Sequence, residues 1–268
     1  MIIRLTASNR VKKIRDQLRE GWPDSHGRIL VEGVKLIEEA FKSNLKVDSI
    51  YVSEHQRKMG LLQGLLKGSK THPPEVVELS EKAFNSISST ETPQGVSALV
   101  FVPQWDLERI LAKDSLIILA HQLQDPGNLG TLLRSAEAFG ANAVILSNNS
   151  VNPYNPKAIR ASAGSVFRVP CFPGSDPQEI LKLLDENNYR VYATSPEKGK
   201  DFRAIDYRGR VALIFGNEAR GLDCDILDRV ESQLTIPISS SVDSLNVAVA
   251  FSIILCQAAE QRRTPLRH

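Results

Sequence analysis

The sequence predicts an α/β protein in two parts, a small α/β unit followed by a parallel sheet with helices on both faces. Three observations carry this. Apolar runs of strand length alternate with helical patterns from Arg28 onward. The run from Leu116 to Ala120 is unbroken aliphatic, the character of a parallel strand buried on both sides. Several later runs break into Gly, Pro, Ser or Asn loops and then enter a helix, which gathers backbone amides and small polar side chains at strand ends, where open α/β sheets build ligand sites.

In chain order, the first unit reads as a strand at Ile29 to Val31, a helix at Val34 to Phe41 and a β-rich segment at Ile50 to Val52. It continues with the Leu61 to Leu66 run, a strand at Val76 to Leu79, a helix near Glu81 to Ile87 and a strand at Val96 to Val102. Pro103, Gln104 and Trp105 then interrupt the apolar pattern, and a short charged helix follows at Leu107 to Lys113. A boundary here divides a domain of residues 1–105 from one of residues 106–268. After Leu116 to Ala120, strands are expected at Ala143 to Leu146, Arg168 to Cys171, Arg190 to Ala193, Val211 to Phe215 and Gln233 to Ile236. The helices between them fall at Leu129 to Phe139 and Pro177 to Glu186, and a long one closes the series at Leu245 to Arg262. That alternation predicts a doubly wound parallel sheet.

A chain of 268 residues, 42% hydrophobic and 24% charged, has enough apolar material for two cores. Thirty-three Lys and Arg against 31 Asp and Glu leave a net charge of +2, so overall charge does not argue for a nucleic-acid partner. Local charge does: Arg4, Arg10, Lys12, Lys13, Arg15 and Arg19 face only Asp16. The same stretch also suits a solvated amphipathic helix with Val11, Ile14 and Leu18 turned inward. The three cysteines, Cys171, Cys224 and Cys256, form no CxxC pair and suit neither a disulfide framework nor a zinc cluster. No apolar run reaches the roughly 18 residues of a membrane span, and the N-terminus lacks the apolar core of a secretory signal. The expectation is a protein of a reducing compartment, the cytoplasm, with no membrane partner.

The sequence contains no GxxxxGK[ST], no GxGxxG after a strand, no HExxH, no GxSxG and no metal-ligand spacing. Three other loops carry the chemistry. In DPGNLGTLLR, Asp125 to Arg134, Pro126 and Gly127 make a turn, and Asn128 is placed to cap the following helix. Thr131 and Arg134 are then neighbours on its first turns, where an arginine can clamp a phosphate or carboxylate or simply pair with a surface acid. In LIFGNEARGL, Leu213 to Leu222, Gly216 lets a ligand approach the strand end, Asn217 and Glu218 project from the turn, and Gly221 closes a short helical segment. Glu218 suits a cation or hydroxyl partner, or a helix N-terminus. In IPISSSVDSLNVAVA, Ile236 to Ala250, Pro237 stops a strand, Ser239 to Ser241 form a polar loop, Ser244 can cap the long helix and Asn246 sits in its first turn.

Together, these three stretches resemble the ordered motifs of the SpoU (TrmH-like) branch of the SPOUT RNA 2′-O-ribose methyltransferases, and the match spans the second domain. KAIRASAGSVFRVP, Lys157 to Pro170, is similar to the segment between the first two motifs. RILVEGVKLIEEA and STETPQGVSALV are similar to the small ribosomal-protein-like α/β domain that precedes the catalytic domain in many members. The resemblance implies a deep trefoil knot threading the chain from about Gly209 to Arg262, with S-adenosylmethionine held largely by backbone groups. It implies Gly216, Ile236 and Leu245 as cofactor-binding residues and Asn128, Arg134, Glu218, Ser244 and Asn246 as the catalytic set, with no metal. It further implies a homodimer packed through the long last helix, and an RNA substrate, with large-subunit ribosomal RNA favoured by the full N-terminal domain. A transfer-RNA substrate and a non-catalytic RNA-binding or ribosome-assembly factor on the same scaffold are the alternatives.

Overall fold

A computed structural model describes residues 2–5, 9–59, 61–66, 73–196, 199–217 and 220–263. The chain divides into two compact units, Met1–Gln104 with Tyr154–Arg168, and Trp105–Pro153 with Val169–His268. Among the described residues, no helix is long and apolar enough to cross a membrane.

The first unit runs β1 (Ile2–Leu5), α1 (Asn9–Glu20), β2 (Arg28–Glu32), α2 (Val34–Lys42), β3 (Val47–Ser53), α3 (Glu54–Lys58), α4 (Leu61–Leu66), β4 (Glu75–Leu79), α5 (Glu81–Asn85) and β5 (Val96–Phe101). Its sheet has the order β1-β4-β3-β5-β2, with β1, β4 and β3 parallel and β5 antiparallel to β3 and β2. Val11 and Ile14 of α1 pack on Leu30, Tyr51, Val77 and Leu99, so this helix is amphipathic, with an apolar face inward. Arg10 is not a free cation of a basic arm: its Nε donates to the Tyr51 hydroxyl at 2.8 Å, and its guanidinium pairs with Glu75. The RILVEGVKLIEEA and STETPQG stretches form one joint. Glu32 accepts hydrogen bonds from the Ser89 amide at 2.8 Å and from the Ser88, Ser89 and Thr90 hydroxyls, and Gln94 Oε1 accepts from the Val34 amide at 3.1 Å. Gly33 between them holds φ at 98°, a backbone that favours glycine.

The second unit opens with α6 (Leu107–Leu111), β6 (Leu116–Ala120), α7 (Pro126–Phe139) and β7 (Ala143–Ser147). Next comes α8 (Pro156–Ser162), which belongs to the first unit. Most of the KAIRASAGSVFRVP stretch therefore lies in the first unit rather than in a continuous domain of residues 106–268; Arg160 Nη1 donates to Ser89 Oγ at 2.6 Å and Arg168 Nη1 to Glu39 Oε2 at 2.8 Å. The expected strand at Arg168 to Cys171 is displaced for a local reason. Ser165–Phe167 forms a 3-10 turn that buries Val166 and Phe167, and the strand starts only at Cys171.

The rest of the second unit is β8 (Cys171–Ser175), α9 (Pro177–Glu186), β9 (Arg190–Thr194), β10 (Lys200–Asp201), β11 (Val211–Phe215), α10 (Cys224–Leu227), β12 (Ser232–Thr235) and α11 (Val247–Arg263). Its seven strands are all parallel, in the order β10-β12-β9-β11-β6-β7-β8. One face is covered by α6, α9 and α10 through Leu111, Ile180, Leu184 and Ile226 against Ile117, Ile145 and Ile214. The opposite face takes α11, where Phe251 meets Phe215 edge-on with ring centroids 4.8 Å apart. The chain builds β6, β7 and β8 outward to one side, places β9 on the other, and only then inserts β11 between β9 and β6. Such a reversal opens a crevice at the carboxyl ends of the strands.

Candidate active site

A cavity of about 640 Å³ occupies that crevice, a volume in the ordinary range for a small-molecule site. Thr194–Pro196 after β9, Phe215–Asn217 and Arg220–Leu222 after β11, Ile236 and Ile238 after β12, and Ser244–Val247 at the start of α11 line it. The segments after β11 and β12 are there because their strands stop: Pro237 cannot donate to a ladder, and Gly216 has no side chain.

Gly216 is required for a different reason from ligand approach alone. A Cβ on it would stand 2.5 Å from the carbonyl carbon and oxygen of Gly221. The loop closes on itself there, with the Asn217 amide donating to Gly221 O and the Gly221 amide to Asn217 O, both at 2.9 Å. Gly221 is thus tied back to Asn217 by a β-bridge. Asn217 Oδ1 accepts from the Arg220 amide at 3.0 Å, and Asn217 Nδ2 donates to Gln122 O at 2.8 Å, pinning the loop to the end of β6. A second tie is His121, its side chain 4% exposed, whose Nε2 lies 3.1 Å from Asp223 Oδ2.

At the first motif, Asp125 rather than Asn128 caps α7. Its carboxylate accepts from the Asn128 amide at 2.8 Å, and Pro126 fills the first turn, where a missing N–H costs nothing. The Asn128 side chain meets α11, where its Oδ1 accepts from Asn246 Nδ2 at 3.0 Å. Asn246, not Ser244, caps α11, since its Oδ1 accepts from the Ala248 amide at 2.9 Å. One helical face further along, Ser135 and Ser252 hydroxyls meet at 2.7 Å, so α7 and α11 run side by side in the same direction.

Of the residues singled out in the sequence, Gly216, Ile236, Leu245, Ser244 and Asn246 all line the cavity, and Asn128 is bonded to its rim. Arg134 is exposed on α7 and is not among the lining residues, while Glu218 lies outside the described residues. Thr131 donates back to Gly127 O at 3.0 Å and serves the helix itself. Sequence reasoning passed over Arg220 and the His121–Asp223 tie. The signal for the first was a second charged residue, two positions after Glu218, in a loop motif otherwise made of apolar and neutral residues; for the second it was a histidine directly after a buried strand.

The SpoU rRNA Methylase family model matches residues 115–256, and the MRM3-like substrate binding domain model matches residues 8–98. The chain is 33% identical over 253 residues to the 23S rRNA (guanosine(2553)-2'-O)-methyltransferase RlmP of Bacillus subtilis, covering 91% of this chain and 97% of that protein. It is similar to the AdoMet-bound rRNA methyltransferase from Sinorhizobium meliloti, with a TM-score of 0.84 at 27% identity over 97% of this chain and 98% of that one. It is also similar to the SpoU methyltransferase AviRb from Streptomyces viridochromogenes in complex with AdoMet, with a TM-score of 0.82 at 26% identity over 95% and 98%. A motif set gathered on one crevice, and a family model matched across the unit that builds it, place the chain in the SpoU rRNA methylase family.

Proposed function

We propose that this protein transfers the methyl group of S-adenosylmethionine to a ribose 2′-hydroxyl of 23S ribosomal RNA. The observation that carries the reading is the convergence of Gly216, Ile236, Leu245 and Asn246 on one cavity, with Asn128 hydrogen-bonded to Asn246 at its edge. An adenosine needs an apolar slot with backbone donors and acceptors, and Ile236, Leu245 and the strand-end amides supply both. When bound, S-adenosylmethionine supplies an electrophilic sulfonium methyl.

The chain's own residues then have to hold the 2′-hydroxyl in line with that methyl and ease the loss of its proton. Arg134 is a poor proton acceptor, because a guanidinium presents five N–H donors and no acceptor. Its role in this reading is to grip the adjacent phosphate with two donors and to stabilise the developing alkoxide. Asn128 and Glu218 orient Arg134 and the ribose, and Ser244 and Asn246 hold the last loop against the substrate.

The first unit would dock the ribosomal RNA. The relatives named above include an enzyme of 23S rRNA that this chain matches along nearly its whole length, which supports that substrate over transfer RNA. The β11 insertion between β9 and β6 is consistent with the threaded trefoil knot expected of the family. A homodimer packed along α11, which leaves Val249 47% exposed, and a cytoplasmic location complete the reading.

Tritiated methyl transfer to total RNA from a strain lacking the gene, followed by nucleoside analysis, tests it. A single 2′-O-methylated nucleotide in 23S rRNA is expected. Label in transfer RNA instead would overturn the substrate assignment, and no label together with no cofactor binding by calorimetry would overturn the enzyme.

A further inference from the structure

Arg220 is the one charged side chain among the described residues that line the cavity. Every other lining position is apolar, glycine, or a neutral Ser, Thr, Asn or Gln. Its place is fixed from the backbone: Asn217 Oδ1 holds the Arg220 amide at 3.0 Å, and the two Asn217–Gly221 bonds at 2.9 Å lock the residues on either side. Its side chain is exposed at the mouth, and among the described residues no acidic group pairs with it. A cation at the edge of a cavity whose described lining is otherwise uncharged selects for an anionic group on whatever enters.

S-adenosylmethionine carries two positive groups, the sulfonium and the ammonium, and one anion, the carboxylate at the end of its methionyl arm. A guanidinium near the sulfonium would oppose binding, whereas one at the mouth can meet the carboxylate while the sulfonium sits in the neutral interior. Resting on the cofactor reading above, we propose that Arg220 receives the methionyl carboxylate of S-adenosylmethionine and so sets which end of the cofactor points outward. The start of α11, whose Val247 also lines the cavity, adds the positive end of a 17-residue helix to the lining.

The test is calorimetric titration of the full chain and its Arg220→Ala and Arg220→Lys variants. S-adenosylhomocysteine, which keeps the carboxylate, is compared with 5′-methylthioadenosine, which lacks the whole amino-acid end. Arg220→Ala should weaken S-adenosylhomocysteine about tenfold and leave methylthioadenosine within about twofold, with Arg220→Lys recovering part of the loss. Unchanged methylthioadenosine binding also reports an intact cavity. Equal weakening of both ligands would overturn the proposal, as would no change in either. An increased KM for RNA with an unchanged S-adenosylhomocysteine affinity would assign Arg220 to an RNA phosphate instead. If the unsubstituted protein bound neither ligand, the cofactor reading itself would fail.

Discussion

Asn246 donates from Nδ2 to Asn128 Oδ1 at 3.0 Å, joining the first turn of α7 to the start of α11 across 118 residues of sequence. The other end of the same amide caps α11. One side chain therefore does two separable things, and substitutions can divide them. Serine caps a helix about as well as asparagine but is too short to bridge to Asn128. Asn246→Ser should keep stability within about 0.5 kcal/mol of the parent, whereas Asn246→Ala loses about 1 kcal/mol. Both should lose methyl transfer by about 10- to 100-fold if the bridge positions the site. Denaturant unfolding and single-turnover rates check this; full activity in Asn246→Ser would show that only the cap matters.

Gly216 and Gly221 face each other closely, but only one of them lacks room. A Cβ on Gly216 would meet backbone atoms of Gly221 at 2.5 Å, whereas a Cβ on Gly221 meets nothing within 4 Å and is disfavoured only by its φ of 72°. Gly221→Ala should therefore cost about 1 kcal/mol through backbone strain. Gly216→Ala must push the loop apart, and is expected to cost about 1–3 kcal/mol and to weaken S-adenosylhomocysteine more than tenfold. Thermal unfolding and calorimetry of the two variants should rank them in that order.

What was legible in the sequence follows from what each element buries. Runs such as Leu116–Ala120 and Val211–Phe215 are wholly buried, and so wholly apolar, and α7, α9 and α11 are long enough to display a pattern. The two-residue β10 has too little sequence to carry an alternation, and β1 lies in a stretch whose charge drew attention away from Ile2 and Ile3. The strand expected at Arg168 to Cys171 begins only at Cys171, and nothing in the local sequence announces the buried 3-10 turn at Ser165–Phe167 that displaces it. At the site, strand-end loops announced the lining residues. The Asn128–Asn246 bond did not announce itself, because residues so far apart carry no local periodicity. The capping errors share one cause: Asp125 and Asn246 compete with Asn128 and Ser244 for the same short stretches, and the winner depends on where each helix axis points.

Arg134 stands exposed on α7, so its removal should leave the fold almost untouched. Arg134→Ala and Arg134→Lys are both expected within about 0.5 kcal/mol of the parent in stability. Activity should separate them from it sharply. Lysine keeps the charge but loses the planar fork, so methyl transfer should fall by at least about tenfold in Arg134→Lys and further in Arg134→Ala. S-adenosylhomocysteine affinity should be unchanged in both. Nearly full transfer by Arg134→Lys at neutral pH would remove the two-donor role.

The joint at Glu32 makes the stability of the first unit depend on pH in a defined direction. Burial opposes ionisation of Glu32, but hydrogen bonds from Ser88, Ser89 and Thr90 outweigh it and hold the carboxyl below its usual range. A group depressed in the folded state binds its proton more readily when unfolded, so its contribution is complete above the unfolded value and is lost as pH falls through the folded one. Glu32→Gln should therefore be less stable than the parent at pH 7, and the gap should close as the pH falls below the ordinary carboxylate range. Ser89→Ala, which removes one of the donors, should shrink the parent's pH dependence without abolishing it. Urea unfolding of the three proteins between pH 3 and 7, followed through the first unit's amide exchange, measures this. A gap that stayed constant with pH would mean that Glu32 serves the joint by shape alone.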